Sequence, residues 1–260
     1  GNGARKTVKG GSGSGDVYSH TYSTVEAGLE AAGFTVTTKK WLEAYDSRFQ
    51  AAWKDFVRSI KKQAKAAHKQ AILVAMGAVM EEPEYEFPLD GEGDTAIYVL
   101  SRNSGEGSDR KAVQGDLCLT ETEVRDILAC QGKYRRFLLV LNTGGVVDLL
   151  PVMEVENILL LSQLGAVTGD AFADVLLGRA CPSGRLTATW SRREDYQAVG
   201  DFGDPDDTRY REGIYVGYRY FNSAGTKPLF PFGYGLGYTV FDIAFSGAEI
   251  AGDKVSVRVK

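Results

Sequence analysis

Residues 95–100 read Thr-Ala-Ile-Tyr-Val-Leu, and residues 101–110 continue as Ser-Arg-Asn-Ser-Gly-Glu-Gly-Ser-Asp-Arg. The apolar run predicts a buried strand, and the glycine-rich polar stretch predicts a loop at its end. A strand fixes the position of the residues that follow it, and the glycines on both sides of Glu106 leave room for a ligand. The pattern is typical of a presented reactive carboxylate. A polar loop that only caps a strand has the same composition, so this stretch alone leaves both interpretations open.

Helical and strand patterns alternate along most of the chain. Apolar residues at helical spacing predict helices over 24–33, 46–69, 120–131 and 169–177. Strands are predicted at 34–37, 95–100, 137–142, 157–161 and 187–190, while 71–76 fits either a strand or a helix end. Such alternation favours an α/β fold, with a mostly parallel sheet and helices on both faces. Ligands bind such sheets beyond the carboxyl ends of the strands.

The composition changes after Trp190. Residues 210–221 and 230–238 are rich in aromatic residues and glycine. Two alternating runs at 240–245 and 254–259 predict the beginning of an all-β sandwich. The chain does not begin with Met, and we expect it to be a piece of a longer protein. Three parts are expected: an α/β domain at 1–200, an interdomain packing segment at 201–239 and an incomplete β module at 240–260.

The amino-acid composition limits the classes of function that are expected for this chain. The 260 residues are 43% hydrophobic and 25% charged, the balance of an ordinary soluble globular protein. The net charge of −4 and the lack of a basic stripe argue against nucleic acid as a partner. Three distant cysteines and two histidines predict neither a disulfide framework nor a metal site, and we expect no cofactor. No run has the length of a membrane span or the pattern of a signal peptide, which favours a cytoplasmic location but leaves secretion open.

Two further stretches have competing interpretations. Residues 9–16 are rich in glycine and serine but lack the Gly-Lys-Ser/Thr ending of a nucleotide phosphate loop. We therefore expect a tight loop that leads from strand to helix, and keep nucleotide binding as an alternative. The aromatic residues of 210–221 would suit sugar stacking or domain packing, of which we favour packing.

Seven short motifs follow one another along the chain. They are Lys-Gly-Gly-Ser-Gly-Ser-Gly at 9–15, Ser-Gly-Glu-Gly-Ser-Asp-Arg at 104–110, Leu-Asn-Thr-Gly at 141–144, Ala-Asp-Val-Leu-Leu-Gly at 173–178, Pro-Ser-Gly-Arg-Leu at 182–186, and the aromatic stretches 210–221 and 231–238. In this order they resemble the C-terminal half of a family 3 glycoside hydrolase, a β-glucosidase-like enzyme. Each motif is weak alone, but seven in family order are specific.

The resemblance implies a fold and a mechanism. Residues 1–200 would be the family's α/β sandwich domain, lacking its first strand, and the tail would begin its fibronectin type III-like module. Glu106 would be the acid/base of a retaining, exo-acting β-glycosidase. The nucleophilic aspartate would come from a (β/α)8 barrel that is not in this chain.

The same resemblance implies roles around Glu106. Asp109 and Arg110 are expected to hold the loop, and Ser12 and Ser14 to support it or contact substrate. The expected partners are a β-glucoside or related oligosaccharide and the barrel domain, with no membrane; the oligomeric state is open. A non-catalytic carbohydrate-binding or scaffold domain, with Glu106 only a loop residue, is the alternative function.

Overall fold

A parallel three-stranded sheet is the centre of the computed structural model, which describes residues 1–75, 78, 80–104, 110–197 and 210–260. Its strands are β1 (Thr95–Arg102), β2 (Arg136–Thr143) and β3 (Ile158–Leu160), in that spatial order. Thr95 pairs with Arg136 and Arg102 with Thr143. The carboxyl ends of β1 and β2 therefore lie level with each other at one edge of the sheet.

Helices and a hairpin surround or follow the sheet. The helices are α1 (Val25–Ala31), α2 (Lys39–Ala66), α3 (Ala71–Ala75), α4 (Glu121–Lys133), α5 (Thr168–Leu176), α6 (Arg193–Gln197) and α7 (Tyr218–Ala224). Short 3-10 helices occur at Gly13–Gly15, Leu150–Val152 and Gly165–Val167. An antiparallel hairpin closes the chain, formed by β4 (Phe245–Ala251) and β5 (Lys254–Val259). No helix in the described part of the chain has the length and apolar character needed to cross a membrane.

Both faces of the sheet are buried. Alternate residues of β1 and β2 pack with α4 in one core, which includes Tyr98, Leu100, Ile127, Leu139 and Leu141. The intervening residues pack with α1 and α5 in a second core, which includes Val25, Val99, Val140 and Phe172. The alternation follows from the two-residue period of a strand. The predicted α/β fold, with a parallel sheet between helices, is confirmed.

The ends of several elements follow the predicted signals. Thr24 caps α1 by accepting a hydrogen bond from Ala27 N, and Gly33 lies beyond its end at φ 91°. Thr120 and Glu123 form a capping box at the start of α4. Gly178 follows α5 at φ 69°, where a side chain would be strained. The ambiguous stretch after Gln70 is the short helix α3.

Other boundaries were predicted wrongly. Helix α2 begins at Lys39 rather than at residue 46, and its N-terminal half buries Trp41 and Tyr45 against Tyr85. Trp53, further along the same helix, is half exposed. The helix begins earlier because the aromatic residues of 41–45 pack on the segment around Tyr85.

Two predicted strands are absent from the described residues, and a third is displaced. Residues 34–37 connect α1 to α2 without a ladder partner, and 187–190 contributes only the isolated bridge of Trp190 with Phe230. β-Propensity does not form a strand where no neighbouring edge is available. The strand predicted at 240–245 begins at Phe245, in register with the partner strand that ends at Val259. The proposed division at 200 and 239 stays a prediction.

Candidate active site at the carboxyl edge of the sheet

Four loops meet at the carboxyl edge of the parallel sheet. Three of them follow β1, β2 and β3, and the fourth comprises residues 7–16. Gly165 N donates to Lys9 O at 2.9 Å, which joins the fourth loop to the one after β3. Parallel sheets present their ligand sites at this edge. The predicted acid/base loop starts here because β1 ends here.

Asn142 ties these loops together. Its side chain is fully buried, and its Nδ2 donates to Ser162 O at 2.6 Å and to Val8 O at 2.9 Å. Its Oδ1 accepts from Val8 N at 2.6 Å and from Ser101 Oγ at 2.7 Å. One amide therefore connects the 7–16 loop and the loop after β3 to the end of β1. No role was predicted for Asn142 from the sequence. The available signal was an amide directly after a buried apolar run.

Ser12 lies beside the beginning of the acid/base loop. Its backbone N–H donates to Ser104 O at 3.2 Å, so the contact is made by the main chain. Ser14 is in the 3-10 helix Gly13–Gly15. Lys9 holds the same loop from within, because its Nζ lies 3.1 Å from Asp16 Oδ1 and donates to Val17 O at 2.6 Å. The glycine-rich stretch is thus a loop folded on itself and against residue 104.

Glu106 and Asp109 lie outside the described residues, whereas both flanks of their segment are described. Arg110 forms an ion pair with Asp116 through its Nε and donates to Val146 O at 3.2 Å through its Nη2. Lys111 N donates to Asp116 Oδ2 at 2.6 Å. Asp116 therefore anchors the chain where the segment ends.

A buried ion pair stands where the segment begins. Arg102 Nη1 and Nη2 donate to the two carboxylate oxygens of Glu123 at 2.8 and 2.6 Å, and the side chains are 3% and 2% exposed. Arg102 Nε donates to Asp116 O at 2.9 Å. Burial opposes the charge of Arg102, but the Glu123 carboxylate outweighs it and raises the pKa of the guanidinium above its usual range. No sequence pattern predicted this pair; the available signal was a charged residue two positions after a buried apolar run.

Other features are separate from this edge. A cavity of about 970 Å³ begins at the amino end of the strands, where Thr95 and Arg136 line it, and extends along β1 to Val99. The described part of the chain contains no cluster of three His, Cys, Asp or Glu side chains that suits a metal ion. In the aromatic segment, Tyr218 stacks on Phe232 with ring centroids 4.8 Å apart, and Phe221 is buried. Tyr218 is nevertheless 40% exposed, and the packing interpretation of 210–221 stays a prediction.

Comparisons with known proteins identify relatives of the whole chain. The model of the family described as "Glycosyl hydrolase family 3 C-terminal domain" matches residues 1–238. Beta-glucosidase A of Butyrivibrio fibrisolvens is 32% identical over 275 residues, which cover 93% of this chain and 31% of that protein.

Solved structures agree with this result. The structure of beta-glucosidase 3B from Thermotoga neapolitana in complex with glycerol superposes with a TM-score of 0.71 at 31% identity, covering 99% of this chain and 36% of that one. A beta-glucosidase from Paenibacillus barengoltzii superposes with a TM-score of 0.73 at 25% identity, covering 98% and 28%. The chain therefore spans about a third of the length of these relatives.

Proposed function

Because the chain belongs to the glycosyl hydrolase family 3 C-terminal domain family, we propose that it is part of a retaining, exo-acting β-glucosidase and supplies the acid/base carboxylate, Glu106. The observation that carries the proposal is the anchoring of the segment around Glu106. That segment leaves the carboxyl end of β1, and Asp116 contacts Arg102 before it and Arg110 after it. The relatives with solved structures are beta-glucosidases, one of them in complex with glucose. A terminal β-linked glucose is accordingly the proposed substrate unit.

The proposed mechanism needs two carboxyl groups about 5–5.5 Å apart. In the first step the nucleophilic carboxylate attacks the anomeric carbon, and Glu106 gives its proton to the departing glycosidic oxygen. In the second step Glu106 takes a proton from water, which attacks the same carbon and releases the sugar and the nucleophile. The nucleophile is proposed to be an aspartate of a (β/α)8 barrel outside this chain. Glu106 therefore requires that second domain for the reaction.

Charge coupling between the two carboxyl groups gives Glu106 its two roles. A neighbouring anionic nucleophile favours the protonated form of Glu106 in the free enzyme. Formation of the glycosyl-enzyme removes that negative charge, so that Glu106 ionises and becomes a base. The switch in role follows the covalent state of the nucleophile.

The remaining predicted residues are proposed to support this loop. Arg110 holds its end through Asp116 and Val146 O. Ser12 holds its beginning by its main chain, which donates to Ser104 O. Asp109 and Ser14 are proposed as further loop-supporting or substrate-contacting residues. The tail from residue 240, which contains β4 and β5, is proposed to begin a fibronectin type III-like module.

Substitution of Glu106 by Gln in the complete gene product that contains this chain tests the proposal. The amide cannot protonate the leaving oxygen, so turnover of glucosides with poor leaving groups should fall by about 10²–10⁴-fold. Glucosides whose leaving group needs no proton should keep rapid formation of the glycosyl-enzyme. A non-catalytic domain, in which Glu106 is only a loop residue, predicts equal rates for wild type and variant on both classes.

A further inference from the structure

A single residue, Asp116, contacts the chain on both sides of the segment that carries Glu106. Its backbone carbonyl accepts from Arg102 Nε at 2.9 Å, and its carboxylate pairs with Arg110 Nε. Its second carboxylate oxygen accepts from Lys111 N at 2.6 Å. Residues 102 and 110 are therefore held to one point at the carboxyl edge of the sheet.

The contact before the segment is well fixed, because the buried Arg102 side chain donates four hydrogen bonds. The guanidinium is held by both carboxylate oxygens of Glu123, by Asp116 O and by Ser101 O, the last at 2.9 Å. Glu123 is itself fixed, since it belongs to the capping box of α4 and accepts from Thr120 N at 2.9 Å. Through these contacts, α4 fixes the position of the end of β1.

Stability alone is a weak explanation for this buried pair. Desolvation of two charges offsets most of their attraction, and well-packed apolar side chains often replace such pairs without loss. A bidentate arginine–carboxylate contact does, however, fix direction as well as distance. At this position, the pair is more important for orienting the end of β1 than for stability.

We propose that Arg102, Arg110, Asp116 and Glu123, here called the Asp116 clamp, form a positioning device for the Glu106 carboxyl group. The inference rests on the proposed function and goes beyond it, because it assigns catalytic consequence to residues that do not touch the substrate. A proton donor must be held within hydrogen-bond reach of the leaving oxygen, and small displacements are costly. The clamp fixes residues 102 and 110, the described positions on the two sides of Glu106.

The test uses the complete gene product with Arg110→Lys and Asp116→Asn, each of which keeps the approximate size of the side chain. Arg110→Lys keeps the charge and removes the planar fork. We expect kcat on poor leaving groups to fall roughly ten- to a hundredfold, with KM nearly unchanged. Substrates that need no proton donation should be turned over to the glycosyl-enzyme at the wild-type rate.

Arg5→Lys is the matched control. Arg5 pairs with Glu26 at 2.5 Å and its side chain is 24% exposed, against 22% for Arg110, but its partners lie on α1 and α2. A general loss of stability would affect both variants, whereas only Arg110→Lys should show the dependence on leaving group. Glu123→Gln is unsuitable alone, because it leaves the buried Arg102 charge unbalanced and changes the α4 cap.

A double variant separates positioning from a structural effect. If Arg110 acts through Glu106, Arg110→Lys adds no further loss on poor leaving groups in a Glu106→Gln background. Additive losses in the double variant, or equal losses on both substrate classes in Arg110→Lys and Asp116→Asn, would overturn the clamp. If Glu106→Gln alone leaves the leaving-group dependence unchanged, the proposed function itself fails, and the two failures are thus distinguishable.

Discussion

Asn142, which belongs to the Leu-Asn-Thr-Gly motif at 141–144, makes four side-chain hydrogen bonds at the candidate site. It is fully buried and satisfies both main-chain groups of Val8, together with Ser162 O and Ser101 Oγ. Removal of the amide would break all four bonds, in surroundings that are buried at Ser101 and partly buried at Val8 and Ser162. Unpaired buried polar groups cost free energy, and here several would lose their partner at once.

Asn142→Ala should therefore reduce the free energy of unfolding by about 3 kcal/mol or more. Urea unfolding of the chain measures this. Asn222→Ala, at an exposed position in α7, is the control and should change the value by less than about 0.5 kcal/mol. A loss no larger than that of the control would show that Asn142 does not hold the loops.

The side chain of Glu26 also contributes to the stability of the fold, and its contribution depends on pH. Burial alone would raise its pKa, but Arg5 and Lys39 bond to its carboxylate, each at 2.5 Å, and the net effect is a pKa below the usual carboxyl range. The folded state thus binds the proton less readily than the unfolded state. The stabilisation is complete above the unfolded-state pKa and is lost as pH falls through the lowered folded-state pKa.

Glu26→Gln should be less stable than wild type at neutral pH by about 2 kcal/mol. The difference should shrink as the pH is lowered through the carboxyl range and vanish at strongly acid pH, where both side chains are neutral. Urea unfolding at a series of pH values measures the difference. A difference that stays constant with pH would contradict the ion-pair explanation.

At the scale of elements, α1 and α5 cross with their backbones in contact. A Cβ at Gly28 would lie 2.2 Å from the carbonyl of Gly169, and a Cβ at Gly169 would lie 1.9 Å from Thr24 O. No side chain fits between helices at this separation. The crossing keeps both helices on one face of the sheet, over Val99 and Val140.

Gly28→Ala and Gly132→Ala form a matched pair of helical substitutions. Gly132 in α4 is exposed and has no atom within 4 Å of a built Cβ, so alanine there should stabilise the chain by about 1 kcal/mol through helix propensity. Gly28→Ala should destabilise it by about 1–3 kcal/mol, because the helices must separate. Thermal unfolding compares the two, and a stabilising Gly28→Ala would contradict the close crossing.

The elements differ in how well the sequence predicted them, for physical reasons. β2 was clear because both of its faces are buried, which makes residues 137–141 continuously apolar. The start of α2 was missed although Thr38 precedes Lys39, because the early start depends on the packing of Trp41 and Tyr45 with Tyr85, which local sequence does not encode. Residues 34–37 have strand-like composition, but pairing depends on a neighbouring edge that local sequence does not specify.

At the scale of the molecule, the sequence pointed to a candidate site after β1 but not to the residues that support the flanks of its loop. A carboxylate after a buried strand suffices to locate the edge of the sheet. Two of the supporting residues, Asn142 and Glu123, contact residues that are 20 to 134 positions away in the sequence. The third, Asp116, contacts Arg102 through a main-chain atom. Contacts of that kind follow from topology, which no local pattern encodes.

The central claim is that this chain supplies the proton donor for a reaction whose nucleophile lies in another domain. The most direct measurement is kcat/KM, which reports formation of the glycosyl-enzyme, for Glu106→Gln relative to wild type across aryl glucosides of graded leaving-group ability, made on the complete gene product. We expect a loss of about 10²–10⁴-fold for the glucosides with the poorest leaving groups. For the glucosides with the best leaving groups, we expect no loss in the rate of glycosyl-enzyme formation. Wild-type turnover of the poorest leaving groups, or one uniform loss across the series, would contradict it.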